Sequence, residues 1–234
     1  MQAKLSAVII TKNESENIAN ALKSVQFASD ILILDSGSSD NTCEIALSYG
    51  ARVKKQKWLG FGPQKNKAVE LAKNDWVLTL DADEQITEEL KEEIIKTISA
   101  PKFHAYYISR LNNFFGKNIR FGGLYPDRSI RLFNKKFCHF TSDKVHEKVI
   151  CKTQSGYLKN HMIHNAFKTI DQFVSKQKLY ASLSSKKTNY LKAFLSPIWV
   201  FIKMYILRLG FLDGWRGILI ALVYARYTFW KYFK

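Results

Sequence analysis

The sequence predicts an α/β fold with a largely parallel sheet and helices on both faces, followed by a helical C-terminal region. In the first hundred residues, short apolar runs alternate with helical patterns, which is the order of βαβ units. After about residue 191 the chain becomes apolar and aromatic, interrupted by basic residues. The chain has 234 residues, 47% of them hydrophobic, which excludes a disordered chain and suits one main domain with an appendage.

Each unit of the first half begins with a short apolar run. The predicted strands cover residues 5–10, 31–34, 52–54 and 76–80, and the predicted helices pass through residues 18–25, 42–49, 64–72 and 88–98. Gly60–Pro63 is expected to break the chain ahead of the third helix. Thr87 is the expected N-cap of the fourth helix, because acidic residues and an apolar face follow it.

The second half differs from the first in amino-acid composition. Aromatic, basic pieces at 105–109, 129–133 and 144–150 are strand-like, and residues 168–190 predict a polar helix. Residues 1–100 carry 12 basic and 15 acidic side chains, whereas residues 101–234 carry 24 and 5. The second half therefore predicts an anionic partner, for which nucleic acid, a phosphorylated substrate and an anionic lipid surface are the candidates.

The C-terminal region has no long uncharged apolar run, since Lys203, Arg208, Arg216 and Arg226 interrupt it. We therefore expect amphipathic helices in the interface of an anionic membrane rather than a spanning helix, with residues 212–214 as the turn of a helical hairpin. The alternative is that these helices are buried against the domain.

Three unclustered cysteines, Cys43, Cys138 and Cys151, predict no disulfide framework and favour a reducing compartment. The N-terminal apolar stretch is too short for an export signal, so we expect a protein that faces the cytoplasm.

Acidic and polar clusters follow three of the predicted parallel strands: Asn13–Glu14, Asp35–Asp40 and Asp81–Glu84. In open α/β sheets, ligands bind at this edge. Asp81 and Asp83 are two residues apart on an extended segment, so their carboxylates can share Mg²⁺ or Mn²⁺. This spacing alone is weak evidence for a metal site, because acidic residues are also common at the N-termini of helices.

The ordered series of motifs is more specific. Its members, in chain order, are Thr11–Glu14, Asp35–Thr42, Lys65–Asn66, Asp81–Asp83, Leu124–Phe133 and Val145–Glu147. With this series, the chain over residues 5–165 resembles the inverting family 2 glycosyltransferases of the GT-A fold. The later motifs and the tail resemble the branch that includes the lipopolysaccharide inner-core β-1,4-glucosyltransferases.

The resemblance implies two parts, a GT-A domain over residues 1–165 and a membrane-associating helical region over 166–234. Within the domain, residues 1–100 would bind the nucleotide sugar and residues 101–165 would form the acceptor side. The implied nucleotide-sugar contacts are Thr11, Asn13, Glu14, Asp35, Ser36, Lys65, Asp81 and Arg131. Asp35 has an alternative reading as a turn or N-cap residue, and Lys65 as a solvated helix lysine.

The resemblance also implies a divalent metal ion, Mg²⁺ or Mn²⁺, with Asp83, Asp81 and His164 as ligands. Inverting transfer needs a base for the acceptor hydroxyl. Glu147 is the first choice and Asp143 and Asp127 are the reserves, the alternative for Glu147 being a surface pair with Lys144 or Lys148. Arg128 is a second candidate beside Arg131 for clamping a phosphate.

Together these features imply an enzyme that moves a hexose, with glucose favoured, from UDP-glucose or a related UDP-sugar to a phosphorylated glycolipid in cell-envelope glycan synthesis. It would work at the cytoplasmic face of the inner membrane and bind no nucleic acid. Two alternatives remain open: a basic nucleic-acid-binding protein, and a non-catalytic membrane scaffold that binds nucleotide sugars.

Overall fold

The computed structural model describes residues 3–143, 147–184 and 189–233. It divides into two units. The first comprises the chain up to Arg110 together with Arg128–His164, and the second comprises Leu111–Asp127 together with the chain from Asn165 onward. Residues 111–127 thus belong with the C-terminal region, although they lie inside the predicted first domain.

The first unit is built on a mixed sheet. Its strands are β1 (Ala3–Thr11), β2 (Ala28–Asp35), β3 (Arg52–Lys55), β4 (Trp76–Asp81), β5 (Glu84–Ile86), β6 (Ala105–Phe114), β8 (Asp127–Asn134) and β11 (Gly156–Phe167). The strand order is β3-β2-β1-β4-β8-β6-β11-β5, and the short β7 (Lys117–Asn118), which belongs to the second unit, pairs with Asn113 and Phe114 at the end of β6. Strands β3, β2, β1 and β4 are parallel, while β8 runs antiparallel to β4.

Four helices cover this sheet: α1 (Ile18–Ser24), α2 (Thr42–Ser48), α3 (Phe61–Leu71) and α4 (Glu88–Ser99). The central strand β1 sends Leu5, Ala7 and Ile9 into one core with α1, α2 and α4, and Val8 into a second core with α3. Alternating apolar residues on one strand therefore pack against helices on both faces, which confirms the predicted α/β architecture.

The sheet register brings the functional motifs to one edge. At the carboxyl ends of the parallel strands, Thr11 pairs with Asp35 and Ile10 with Asp81. The ends of β2 and β4 thus flank the end of β1. Since adjacent strands lie about 4.8 Å apart, these two aspartates are roughly 10 Å apart across the sheet.

The structure corrects two local predictions. Gly60–Pro63 was expected to break the chain, but α3 begins at Phe61. Pro63 lies in the first turn, where the backbone N–H groups have no intrahelical acceptor, so the ring is tolerated. The strand predicted over 144–150 is observed only as β10 (Val149–Cys151), and residues 144–146 lie outside the described residues.

The cysteine prediction is wrong for two of the three residues. Strand β9 (Cys138–Phe140) pairs antiparallel with β10 so that Cys138 lies opposite Cys151, and the two form a disulfide bond. Cys43 is free. The cysteines therefore give no support to a reducing compartment.

The second unit contains α5 (Ile170–Leu183), α6 (Tyr190–Phe201), a π-helical segment (Ile202–Leu207), a 3-10 turn (Gly210–Asp213) and α7 (Trp215–Tyr232). Phe114, Phe173 and Ile220 lie at the centre of its core. Asp213 accepts a hydrogen bond from the Phe121 backbone N–H at 2.9 Å. The 3-10 turn ends where the hairpin turn at 212–214 was predicted.

The tail contains one long apolar helical stretch, which is consistent with the expected interface helix. Among the described residues, Tyr190–Leu207 is long and apolar enough to cross a membrane by length and composition, with a mean hydropathy of 1.4, although it includes Lys192 and Lys203. Most of its large side chains are exposed, among them Leu191, Phe194 and Trp199. They are therefore not buried against the rest of the unit.

Candidate functional site

The carboxylate of Asp35 holds the loop that follows β2. It is fully buried and accepts hydrogen bonds from the backbone N–H groups of Gly37 and Ser38, each at 2.9 Å, and from the Thr11 hydroxyl at 3.2 Å. Burial acts to raise the pKa of Asp35, but these donors and the Ser38 hydroxyl outweigh it and lower the pKa. Asp35 is thus an ionised anchor of this loop.

The loop after β1 is tied to the same segment. The exposed Asn13, with a left-handed φ of 56°, accepts a hydrogen bond from the Ser39 backbone N–H at 2.8 Å. The backbone N–H of Glu14 donates to the Thr42 hydroxyl at 2.8 Å. The structure thereby brings Thr11, Asn13, Glu14, Asp35 and Ser36 into one pair of connected loops.

Helix α3 meets these loops through Gln64. This fully buried side chain donates to the Ser36 hydroxyl at 3.0 Å, and its Oε1 has no hydrogen-bond partner among the described residues. The next residue, Lys65, is also buried. Sequence patterns indicated Lys65 but gave Gln64 no role.

Lys65 links two acidic side chains from distant parts of the chain. Its Nζ lies 3.1 Å from Asp81 Oδ1 and 2.8 Å from Glu147 Oε1. It is therefore not the solvated helix lysine of the alternative reading. Glu147 pairs with this buried lysine within the described residues, rather than with Lys148.

A second cationic side chain approaches Asp81 from β8. Arg131 lies 3.0 Å from Asp81 Oδ2 and 2.6 Å from Glu84 Oε1, and Glu84 is fully buried. Glu84 also accepts the Asp81 backbone N–H at 2.9 Å and lies 3.4 Å from Arg110. Both oxygens of Asp81 thus face cations.

The pKa values in this cluster follow from burial and from these neighbours. Burial acts to raise the pKa of Asp81, but the charges of Arg131 and Lys65 hold it well below its usual range. For Glu84, burial is the largest effect and its pKa is raised, with Asp81 adding to it and Arg131 opposing it. The two carboxylates outweigh burial at Arg131 and raise its pKa.

Asp83 and His164 form a separate pair beside this cluster. Asp83 Oδ2 lies 3.3 Å from His164 Nε2, and His164 is opposite Glu84 in the β11–β5 ladder. Neighbouring ligands of a divalent ion at about 2.1 Å are roughly 3 Å apart, so Asp83 and His164 are close enough to hold the same cation. The described residues contain no group of three or more metal-ligating side chains.

The three candidate bases lie in different environments. Glu147 is beside Lys65, as described above. Asp143 is exposed, and its backbone carbonyl accepts a hydrogen bond from the Gly62 N–H at 3.2 Å. Asp127 begins β8 and belongs to the second unit.

Helix α3 also positions the segment that leads from β9 towards Glu147. Asn66 donates to the Phe140 carbonyl and accepts the Phe140 N–H, each at 2.8 Å. A side chain at Gly62 would collide with the carbonyl oxygens of Thr141 and Asp143. These contacts hold Phe140, Thr141 and Asp143 against the helix that carries Lys65.

Sequence reasoning missed the positioning residues Glu84 and Arg110, and it named Asn66 only as part of the Lys65–Asn66 motif. Glu84 was noticed only as part of an acidic cluster. The sequence did contain a signal for Glu84. This residue lies between the acidic end of β4 and the apolar Ile86, a position that indicates a short buried strand. Arg128, a second phosphate candidate, is exposed and lies over the Tyr157 ring at 5.5 Å.

Comparisons with known proteins agree with one another. The family model described as Glycosyl transferase family 2 matches residues 6–161. The uncharacterised glycosyltransferase RP128 of Rickettsia prowazekii (strain Madrid E) is 34% identical over 95% of this chain and 83% of its own length. The lipopolysaccharide core biosynthesis glycosyltransferase LpsC of Rhizobium meliloti (strain 1021) is 27% identical over 96% and 89%.

Among solved structures, S. aureus TarS 1–349 in complex with UDP is similar with a TM-score of 0.50 and 16% identity, covering 100% of this chain and 89% of that one. At this identity the similarity concerns the fold alone. It agrees with the GT-A architecture that the sheet order and the helices on both faces display.

Proposed function

This chain belongs to glycosyl transferase family 2, and from that premise we propose that it is a metal-dependent inverting hexosyltransferase. The donor is a UDP-hexose, with UDP-glucose favoured, and the acceptor is the phosphorylated core sugar of a lipid-anchored glycan. One observation carries the proposal: Lys65, Asp81 and Glu147 converge at the carboxyl edge of the sheet beside Asp83 and His164.

The donor lies along the loops after β1, β2 and β4 in this proposal. Asn13 and Glu14 line the base and ribose, the buried Asp35 holds the loop beside them, and Asp81 binds the ribose. Lys65 supplies positive charge to the diphosphate. TarS, whose fold is similar, has been solved with UDP and with UDP-GlcNAc, which supports a uridine nucleotide.

Asp83 and His164 would hold the divalent ion, which supplies charge neutralisation to the departing diphosphate when bound. Asp81 contributes less to holding it, because Lys65 and Arg131 already face its two oxygens.

The chain's own chemistry in the transfer is removal of one proton. The acceptor hydroxyl oxygen forms a bond to the anomeric carbon as the bond from that carbon to the diphosphate oxygen breaks. Glu147 accepts the hydroxyl proton, and Lys65 orients its carboxylate through their 2.8 Å ion pair. Transfer with inversion gives UDP and the extended glycan.

The acceptor assignment rests on the similarity to LpsC and on the basic second half of the chain. We place the enzyme at the cytoplasmic face of the inner membrane, held there by the exposed apolar side chains of α6 and α7. Phosphorylated glycolipid and anionic lipid both match its net charge of +16.

A binding experiment tests the donor side. UDP, GDP, CDP and TDP sugars are added with and without Mn²⁺, and the thermal midpoint is followed. We expect stabilisation by UDP-sugars that depends on Mn²⁺ and is lost in Asp83→Asn. The matched control is Asp75→Asn, because Asp75 is exposed and Lys136, also exposed, is its one ion-pair partner among the described residues.

A second variant tests the base. Glu147→Gln is expected to keep the Mn²⁺-dependent UDP response while transfer to the glycolipid falls by about 10²–10⁴-fold. A protein that shows no nucleotide response and instead binds oligonucleotides tightly would contradict the proposal. Full transfer activity in Glu147→Gln would shift the base assignment to Asp143 or Asp127.

A further inference from the structure

The loop between β3 and α3 exposes three large apolar side chains in four residues. Trp58 is 45% exposed, Leu59 45% and Phe61 43%. The Trp58 and Phe61 rings pack edge to face with centroids 4.9 Å apart, so they form one patch. Elsewhere in the described part of the first unit, large exposed apolar side chains are scattered in ones and twos.

Basic residues flank this patch. Lys54, Lys55 and Lys57 are exposed, and none of them forms an ion pair within the part of the chain that the structure describes. No acidic residue occurs between Glu44 and Glu70. The loop is thus a local cationic and apolar surface in a half of the chain that is acidic overall.

The base of the loop is fixed beside the candidate site. The backbone N–H of Gln56 donates to the Asp35 carbonyl at 2.8 Å, and that of Gly62 donates to the Asp143 carbonyl at 3.2 Å. Gly60, with a φ of 98°, allows the turn into α3. The loop therefore begins beside Asp35 at the end of β2 and leads directly into the helix that carries Lys65.

We propose that residues 54–61 are a membrane-contact loop, in which Trp58, Leu59 and Phe61 enter the interface of an anionic bilayer. The three lysines contact lipid phosphates, since aromatic and basic side chains are suited to that boundary. This contact would keep the candidate site around Lys65 and Asp81 close to the lipid surface. This contact belongs to the first unit, whereas the exposed helices α6 and α7 belong to the second.

A fluorescent probe tests insertion directly in the full-length protein. In a Cys43→Ser background, Leu59→Cys carries an environment-sensitive dye, because Cys138 and Cys151 are bonded to each other. Vesicles of phosphatidylcholine with phosphatidylglycerol are expected to shift its emission to the blue. The matched control is Leu47→Cys on α2, where the native leucine is 61% exposed and the dye should not respond.

Charge and apolar contributions are separated by vesicle sedimentation. Changing the three lysines to Gln is expected to weaken binding by about fivefold per lysine, and only on vesicles that contain phosphatidylglycerol. The double variant Trp58→Ser/Leu59→Ser should also weaken binding, whereas Leu47→Ser/Tyr49→Ser, at two exposed apolar positions of similar size, should leave it unchanged.

Three results would overturn the proposal. The dye at position 59 stays unshifted on vesicles that sediment the protein, it shifts without lipid as the protein concentration rises, or it shifts on addition of a UDP-sugar without lipid. The second result would indicate a second copy of the chain and the third a loop that closes on the donor. None of these readouts requires transfer, so loss of the proposed activity would be seen separately.

Discussion

At the residue scale, the site is a set of buried charges that compensate one another. Asp81 forms ion pairs with both Lys65 and Arg131, and the neighbouring Glu84 is fully buried. A buried carboxylate is costly unless it is paired, and Glu84 is paired with Arg131 at 2.6 Å. We infer that Glu84 positions Arg131 and the end of β4.

The variant Glu84→Gln should therefore be destabilising. Removing its charge leaves Arg131 with Asp81 alone in a buried setting, and we expect the free energy of unfolding to fall by about 3 kcal/mol. Chemical denaturation measures this. Glu88→Gln is the matched control, because Glu88 is exposed on α4 and its pair with Lys91 should contribute less than about 1 kcal/mol. Equal stability of the two variants would show that Glu84 is not a structural charge.

At the scale of elements, helix α3 contacts both the end of β4 and the chain that follows β9. It carries Lys65 towards Asp81 and, through Asn66 and Gly62, holds Phe140 and Asp143. This close approach explains why the helix begins with a glycine-containing turn that sequence reasoning interpreted as a break. Sequence patterns predicted the helix itself, because its apolar periodicity is local. They could not predict its first turn, because Gly62 is needed for close contact with the backbone of Thr141 and Asp143, which are distant in sequence.

Gly62→Ala tests this connection. Its Cβ would meet the carbonyl oxygens of Thr141 and Asp143, so the segment must shift away from α3. We expect transfer to fall by about 10-fold or more, since displacement of a catalytic group by about 1 Å is costly, while UDP binding is retained. Pro63→Ala, at the adjacent position, should change transfer little. Unchanged transfer in Gly62→Ala would show that this contact does not position Glu147.

At the scale of the whole molecule, the free energy of unfolding should decrease at acidic pH, because several carboxylates are hydrogen-bonded in the folded protein. Burial acts to raise the pKa of Asp30, but Arg52, the Lys73 N–H and Ser6 outweigh it and lower the pKa below 3.8. The Thr42 hydroxyl and the Ser15 N–H lower the pKa of Asp40 to about 2. The pKa of Asp35 is also lowered.

Because these pKa values are lower in the folded than in the unfolded chain, the unfolded chain binds more protons in acid. Their stabilisation is complete above a pH of about 4 and is lost as the pH falls towards 2. Urea denaturation over this range should show it. Asp30→Asn should cost about 2 kcal/mol at neutral pH and reduce the pH dependence of the unfolding free energy. If Asp30→Asn left the pH dependence of the unfolding free energy unaltered, Asp30 would not be one of the carboxylates responsible for it. Asp75→Asn is the surface control.

The sequence by itself determined the α/β architecture and the edge of the sheet at which the acidic motifs lie. Strand and helix periodicities are local, and the register of parallel strands brings the ends of β1, β2 and β4 together. It also indicated an apolar, basic C-terminal region, because composition is a property of the chain alone.

Only the tertiary structure decided which charges meet. The pairing of Lys65 with Glu147, the burial of Glu84 and the Cys138–Cys151 bond join residues that no local pattern relates. Ion pairs and close packing depend on distances of a few ångströms in space, and those distances are set by the whole fold.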